Sequence, residues 1–273
     1  MIILAATPIG NLGDASRRLV EVLENAEVVV AEDTRTTGRL LQALGIANRP
    51  RLIALHDHNE KQKAGELAVL AQEHDVVVVS DAGMPAISDP GYGLVAEAVA
   101  QGVTVTAIPG PSAVLMALAI SGLPTDRFTF EGFLPRKPGE RRSTLTALAA
   151  EPRTMMFFES PSRLASTLTD MGGAFGADRR IAVCRELTKL FEEVRRGTAS
   201  ELAEWAAGGV KGEIVVVVEG APRRTVSADD ALGQVQELVA SGIRLKDACA
   251  EVAAATGLSS RDLYQSALAA RRP

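Results

Sequence analysis

Apolar residues fall along the first 220 positions in two alternating rhythms. Short unbroken runs occupy residues 2–6, 27–31, 52–55, 75–80 and 103–108. Between them, at 14–25, 36–44, 62–73 and 92–101, apolar positions return at helical spacing, as with Leu19, Val22 and Leu23. The run Asp-Val-Val-Val-Val-Ser at 75–80 is continuous, β-branched and closed by turn residues, as expected of a strand buried on both faces. Strand and helix in alternation predict an α/β layer with a mostly parallel sheet.

A second α/β stretch follows the segment Ser-Gly-Leu-Pro-Thr-Asp-Arg at 121–127, which reads as a domain boundary. Strands are predicted at 128–132, 154–159, 180–184 and 213–219, and helices at 141–149 and 162–171, in a mixed arrangement. Residues 221–227 (Ala-Pro-Arg-Arg-Thr-Val-Ser) read as a linker. Beyond it the pattern turns wholly helical, at 229–240, 245–255 and 259–270, with Gly242 and Gly257 at the breaks and Ser259 placed to cap the last helix. The tight turn before that helix suggests a helix-turn-helix-like module. The expected architecture is α/β: two α/β domains at 1–122 and 123–222, and a small helical module at 226–273.

Composition narrows the picture. Aromatics are only 4% of 273 residues, so Val, Leu, Ile and Ala must build the core, and a net charge of −5 excludes an all-basic nucleic-acid coat while leaving room for a local basic patch. Cys184 and Cys249 are too few for a disulfide scaffold or a Cys-rich zinc site, and three histidines offer little to a metal. No apolar run approaches a membrane span, and the apolar N-terminus lacks the basic segment of a signal peptide. The expectation is a cytoplasmic, metal-free protein.

Candidate chemistry gathers where strands end. The first strand runs into Thr-Pro-Ile-Gly-Asn-Leu-Gly at 7–13, which holds only G-x-x-G and so falls short of a dinucleotide fingerprint. Glu32 and Asp33 end the second strand, and Asp33 reads equally as a helix cap. Residues 81–91 (Asp-Ala-Gly-Met-Pro-Ala-Ile-Ser-Asp-Pro-Gly) place two prolines and two glycines after a buried strand, at the sheet edge where open α/β folds hold ligands. A tight turn alone would use the same residues. The bend Ile-Pro-Gly-Pro-Ser-Ala at 108–113 again leads from strand to helix, with Ser112 as a natural cap or, with the helix N-terminus, a holder of polar ligand atoms. Arg136, Lys137, Arg141 and Arg142 surround a single Glu140, which suits a solvated loop or one that tracks phosphates. His56 to Glu60 crowd two histidines and two acids into a segment fit for a general base or a hydrogen-bonded loop. Lys189, followed by Glu192 and Glu193, is either a paired structural lysine or a catalytic one.

Taken in order over residues 7–220, the blocks TPIGN, AEDTRTTGRLL, DHNE, SDAGMPAISDPG, IPGPSA, GFLPRK, FFESPSRL, CRELTK and GEIVVVVEG resemble the tetrapyrrole (corrin/porphyrin) methylase superfamily. The glycine-proline loop and the PGPSA turn carry the superfamily resemblance. The AEDTR, DHNE, GFLPRK and RELTK blocks are similar to its branch acting on small-subunit ribosomal RNA, which the terminal helices also resemble. The resemblance implies S-adenosylmethionine folded into a cleft between two α/β domains, commonly in a homodimer. Its contacts would be Pro8, Ala82, Gly83, Met84, Ile87, Ser112, Ala113, Glu159 and Leu187. Met84 stands where tetrapyrrole-modifying members have Asp, consistent with another substrate.

The implied reaction is in-line methyl transfer to the ribose 2′-oxygen of a cytidine in 16S rRNA, on the assembled 30S subunit. The candidate bases are His58, Asp33 and Lys189, and Arg35, Arg136, Lys137, Arg141 and Arg142 would meet RNA. C-methylation of a porphyrinoid is the rival within enzymes. A ligand-sensing DNA-binding regulator is the non-enzymatic one, although the last helix offers few side chains suited to base edges at its start.

Overall fold

The computed structural model of the chain describes residues 1–176, 178–222 and 227–270. Within the predicted linker, 223–226 lie outside the described residues. Two compact units emerge, Met1–Ala221 and the residues from Pro222 onward.

The first unit opens with a five-stranded sheet. Its strands are β1 (Ile2–Ala5), β2 (Val28–Ala31), β3 (Arg51–Ala54), β4 (Val76–Val79) and β5 (Val105–Ile108), in the order β3-β2-β4-β1-β5 and all parallel. β2 and β4 are buried throughout, which is why their valines run without a polar break. Helices α1 (Arg17–Asn25), α2 (Thr34–Ala43), α3 (Glu60–Glu73) and α4 (Tyr92–Ala100) connect these strands. One face of the sheet packs on Leu19, Leu23 and Leu41, the other on Leu67, Ala68, Leu94 and Ala98.

Helix α5 (Ala113–Ser121) follows, ending on Gly122 in the left-handed conformation. It precedes the expected boundary at 121–127, yet it packs on the second sheet. Val114, Ala117 and Leu118 join Met156, Ala182, Cys184, Val215 and Val217 in one core. That sheet contains β6 (Phe128–Phe133), β7 (Thr154–Glu159), β8 (Arg180–Arg185), β9 (Glu193–Thr198) and β10 (Ile214–Val218), in the order β6-β7-β10-β8-β9. β6 runs parallel to β7 and the other pairs are antiparallel, so the sheet is mixed as expected. Helices α6 (Pro138–Ala147), α7 (Leu164–Phe175) and α8 (Ala199–Ala207) complete it. β9 and α8 were not expected. β9 is an edge strand whose exposed Arg195 and Arg196 break any apolar signal while protecting the edge. α8 did carry a signal, a capping box between Thr198 and Glu201.

The second unit holds α9 (Ala228–Ala240), α10 (Leu245–Thr256) and α11 (Ser260–Ala269). Ala231, Val235, Ala248, Cys249, Val252, Leu263 and Ala267 form its core. Gly257 ends α10 at φ 74° and Ser259 caps α11, as their positions predict. Among the described residues no helix is long and apolar enough to cross a membrane.

Candidate active site

Strand order places the chemistry. β4 and β5 flank β1, so the three chain segments leaving their C-terminal ends meet at one edge of the sheet. The segment after β1 is locked to the one after β4. Thr7 N donates to the Gly83 carbonyl at 2.9 Å, and Gly83 N donates to the Thr7 carbonyl at 3.1 Å. Gly83 sits at φ 81°, open to glycine without strain. Behind β1, a Cβ on Gly110 would lie 2.9 Å from the Ala6 Cβ, so only glycine lets the bend after β5 come this close.

The loop after β4 holds two non-glycine residues in the left-handed region, Ala86 at φ 70° and Ser88 at φ 63°. Such conformations cost about 1–3 kcal/mol each and persist only where surroundings impose them. Glu60 anchors the far end of this loop. Its Oε1 accepts the N–H groups of Gly91 (2.9 Å), Gly93 (2.8 Å) and Leu94 (3.3 Å), pinning the end of the loop and the start of α4. The neighbouring Asn59 accepts from His56 N at 2.9 Å and donates to the Ala54 carbonyl at 3.2 Å. The histidine-acid segment is therefore a hydrogen-bonded loop that braces the site.

Facing these bends, the second sheet contributes Phe133 from β6, Phe158 and Glu159 from β7, Leu187 after β8, and Glu213 with Val215 at the start of β10. The cleft measures about 400 Å³, the size of a small-molecule site. Most of its wall is apolar, including Ile9, Met84, Ile87 and Leu187. Its ionisable lining consists of three carboxylates, Asp89, Glu159 and Glu213, with no lysine or arginine among the lining residues. Such a wall fits a ligand that combines a positive charge with aromatic or aliphatic surface. A sulfonium nucleoside such as S-adenosylmethionine meets that description. Among the described residues no group of histidine, cysteine or acid is arranged to hold a metal.

Of the residues expected to touch that cofactor, Ala82, Gly83, Met84, Ile87, Ser112, Ala113, Glu159 and Leu187 all line the cleft. Pro8 is buried, and its neighbour Ile9 forms the wall instead. Ser112 also caps α5. Glu159 is buried and accepts from Ser160 N (2.8 Å) and the Thr167 hydroxyl (2.6 Å), with Arg163 at 3.4 Å.

The three candidate bases stand outside the lining. Asp33 caps α2, accepting from Arg35 N at 2.8 Å, and the hydrogen-bonded Arg35 guanidinium holds its carboxyl down to about 2. His58 is exposed beside His56, with ring centroids 5.9 Å apart. Lys189 Nζ donates to Glu186 (2.9 Å) and Glu213 (3.0 Å). Burial pulls that ammonium toward deprotonation, but bonding to the two carboxylates outweighs it and keeps the group charged. Its stem lies against Gly10, where any Cβ would collide with it.

The basic residues do not all face solvent. Arg35, Arg136, Lys137 and Arg142 are exposed, with Lys137 2.9 Å from Glu140 and Arg142 3.8 Å from Asp170. Arg141 turns inward. Its side chain is 6% exposed and is held by Asp170 at 2.7 Å, out of reach of a phosphate chain. Sequence reasoning passed over Asp89 and Phe158. Asp89 stood inside the glycine-proline loop already singled out, and its neighbours Pro90 and Gly91 were the available signal.

Two family models match the chain. Residues 1–203 match tetrapyrrole (corrin/porphyrin) methylases, and residues 220–271 match the RsmI C-terminal HTH domain. Relatives named ribosomal RNA small subunit methyltransferase I include one from Mycobacterium tuberculosis (strain CDC 1551 / Oshkosh), 53% identical over 99% of this chain and 95% of the relative. Another, from Escherichia coli O157:H7, is 45% identical over 97% of this chain and 93% of its own length. Among solved structures, the methyltransferase CobJ superposes with a TM-score of 0.60 at 21% identity, covering 81% of this chain and 94% of that one. Diphthine synthase does so at 0.57 and 15%, covering 80% and 89%. These two share the fold.

Proposed function

Since the chain belongs to the tetrapyrrole (corrin/porphyrin) methylase family, we propose that it transfers a methyl group from S-adenosylmethionine to the ribose 2′-oxygen of a cytidine in 16S rRNA, acting on the assembled 30S subunit. The observation that carries this reading is the cleft itself, apolar over most of its wall, with Asp89 a lining carboxylate that no lysine or arginine pairs among the described residues. The bound donor supplies a methyl made electrophilic by its sulfonium. The apolar faces of Ile9, Leu187 and Val215 would hold the nucleoside body, and Asp89, which unlike Glu159 and Glu213 has no cationic partner among the described residues, would favour its positive charge. Strained, braced loops on one side and a β-sheet edge on the other keep these groups in register, so alignment supplies much of the acceleration.

The choice of RNA rests on the relatives' names and on a resemblance that runs the full length, helical unit included. A porphyrinoid substrate gives no reason for that unit. Arg35, Arg136, Lys137 and Arg142, all exposed, are proposed as phosphate contacts. Leu190 and Phe191, neighbours in the chain and 90% and 68% exposed, are an apolar pair that a second copy would cover in a homodimer. A ribosomal substrate places the work in the cytoplasm.

The test uses purified protein, 30S subunits and donor carrying a deuterated methyl, followed by nuclease digestion and mass spectrometry of 16S rRNA. The expected product is a cytidine with the label on its ribose. A label on a base, or 16S rRNA left unlabelled by protein that binds the donor, would overturn the reading.

A further inference from the structure

The chain has seven phenylalanines, and three of them, Phe130, Phe133 and Phe158, form one row on the second sheet. The Phe130 and Phe158 rings are 4.9 Å apart and edge-on, and Phe133 follows 5.5 Å from Phe158 with the planes tilted by 57°. Phe130 and Phe158 pack against the core that α5 covers. Phe133 ends the row 60% exposed, and among the described residues no other exposed aromatic lines the cleft. We propose that Phe133 is the platform on which the pyrimidine base of the target nucleotide stacks, with the phosphates beside that nucleotide reaching Arg136 and Lys137. This assignment rests on the methyl-transfer reading above.

The backbone is built to present this ring. Side chains alternate along a regular strand, so Phe133, three positions after Phe130, would point to the opposite face, into the core around Phe157. The ladder between β6 and β7 shifts instead. Phe130 stands opposite Met156, Gly132 opposite Phe157 and Phe133 opposite Phe158. This bulge, with Gly132 at φ 66°, returns Phe133 to the face of Phe130 and Phe158. The residues that follow hold it there. Leu134 is buried beside Phe157, and Arg163 Nη2 donates to the carbonyls of Leu134 (2.9 Å) and Pro135 (3.0 Å).

A lone exposed ring needs no explanation. A ring brought to a cleft by a bulge, and followed three and four positions later by two exposed cations, fits a nucleotide. A base offers a flat π face, and its phosphates offer charge, which is how aromatic and basic side chains together hold unpaired RNA. Lys137 is paired only with Glu140, in an exposed contact of little worth that a phosphate can replace. The ribose is bonded directly to the base, so a base on Phe133 brings its 2′-oxygen to the cleft that Phe133 borders. The adenine of the donor is the competing occupant. It gives the two cations no role, and Ile9, Leu187 and Val215 already offer it an apolar wall. Stacking accepts any base, so the choice of cytidine falls to other groups.

The test compares full-length wild type, F133A, F133L and F133Y on 30S subunits in single turnover, at saturating donor and limiting subunits, with calorimetry of S-adenosylmethionine alongside. F133A and F133L are expected to bind the donor within threefold of wild type and to lose on the order of 10–100-fold in rate. F133Y keeps the ring and should stay within threefold. A second measurement needs no loss of rate. Phe133→p-azidophenylalanine, irradiated on 30S subunits with S-adenosylhomocysteine present, should crosslink to 16S rRNA at the nucleotide that wild type methylates. An F133L rate within threefold of wild type overturns the proposal, as does a crosslink elsewhere or none. Donor affinity that falls as far as the rate gives the ring to the adenine and overturns it too. Wild type that binds donor yet leaves 30S subunits unmethylated defeats the substrate reading, and the assignment falls with it.

Discussion

Asp89 offers a stability signature. Its folded-state affinity for protons is raised to about 6, mainly by burial and then by Glu32. Between the unfolded value near 4 and that point, the folded state binds more protons than the unfolded one. Its contribution is therefore fully present at low pH and is lost as pH climbs through about 6. D89N should accordingly raise the melting temperature at pH 7.5, by about 1 kcal/mol of stability once the group's partial exposure is allowed for, and change little at pH 4. A melting temperature equally shifted at both pH values would contradict this. The exposed cations make a second prediction at this scale. Changing Arg136 and Lys137 together to Ala should weaken binding to 30S subunits and flatten its salt dependence by about one to two counterions, whereas an unchanged slope would mark the loop as merely solvated. Residue roles were the least legible part of the chain. Asp33 reads as cap or acid from its position, and only Arg35 folded back on it decides for the cap. Arg141 and Arg142 are adjacent in the chain and look alike there. Helix α6 turns one onto Asp170 and leaves the other in solvent.

At the scale of elements, the loop after β4 and helix α3 act as one part. Glu60 begins α3 and holds three N–H groups about thirty positions away. E60A should cost about 1–3 kcal/mol in urea denaturation, because it strands partly buried donors, while E60Q, which keeps an acceptor, should cost less than half of that. Donor affinity should fall with E60A. No local pattern announces a contact of this range, so a motif of two histidines and two acids fits a general base and a hydrogen-bonded loop alike, and only the fold shows its last residue serving as a brace. The strands were far more legible, because an unbroken run of valines suits a strand covered on both faces and little else. β9 escaped for the converse reason. An edge strand is half solvent, and its charges hide it. α5 shows a different limit: its sequence forecasts a capped helix, but not which of two sheets it covers.

For the whole molecule, the division at Ala221 separates two cores with no shared members. A chain ending after Ala221 should fold, bind donor within a few fold of the full protein, and lose most of its methylation of 30S subunits. Retention of that activity would remove the helical unit from substrate recognition. The helical unit was visible in the sequence because its composition changes abruptly, with breaks at Gly242 and Gly257. The cleft was visible only as three strand-end bends rich in glycine and proline. That they meet follows from β1 lying between β4 and β5, an order no local spacing encodes. The claim on which all else depends is that this cleft holds the methyl donor. Calorimetry of S-adenosylmethionine against wild type and A113W measures it directly, since Ala113 lines the cleft and a tryptophan there would fill much of its volume. One donor bound per wild-type chain, and affinity reduced at least tenfold in a folded A113W, is the predicted result; equal binding by both proteins, or none by wild type, would contradict it.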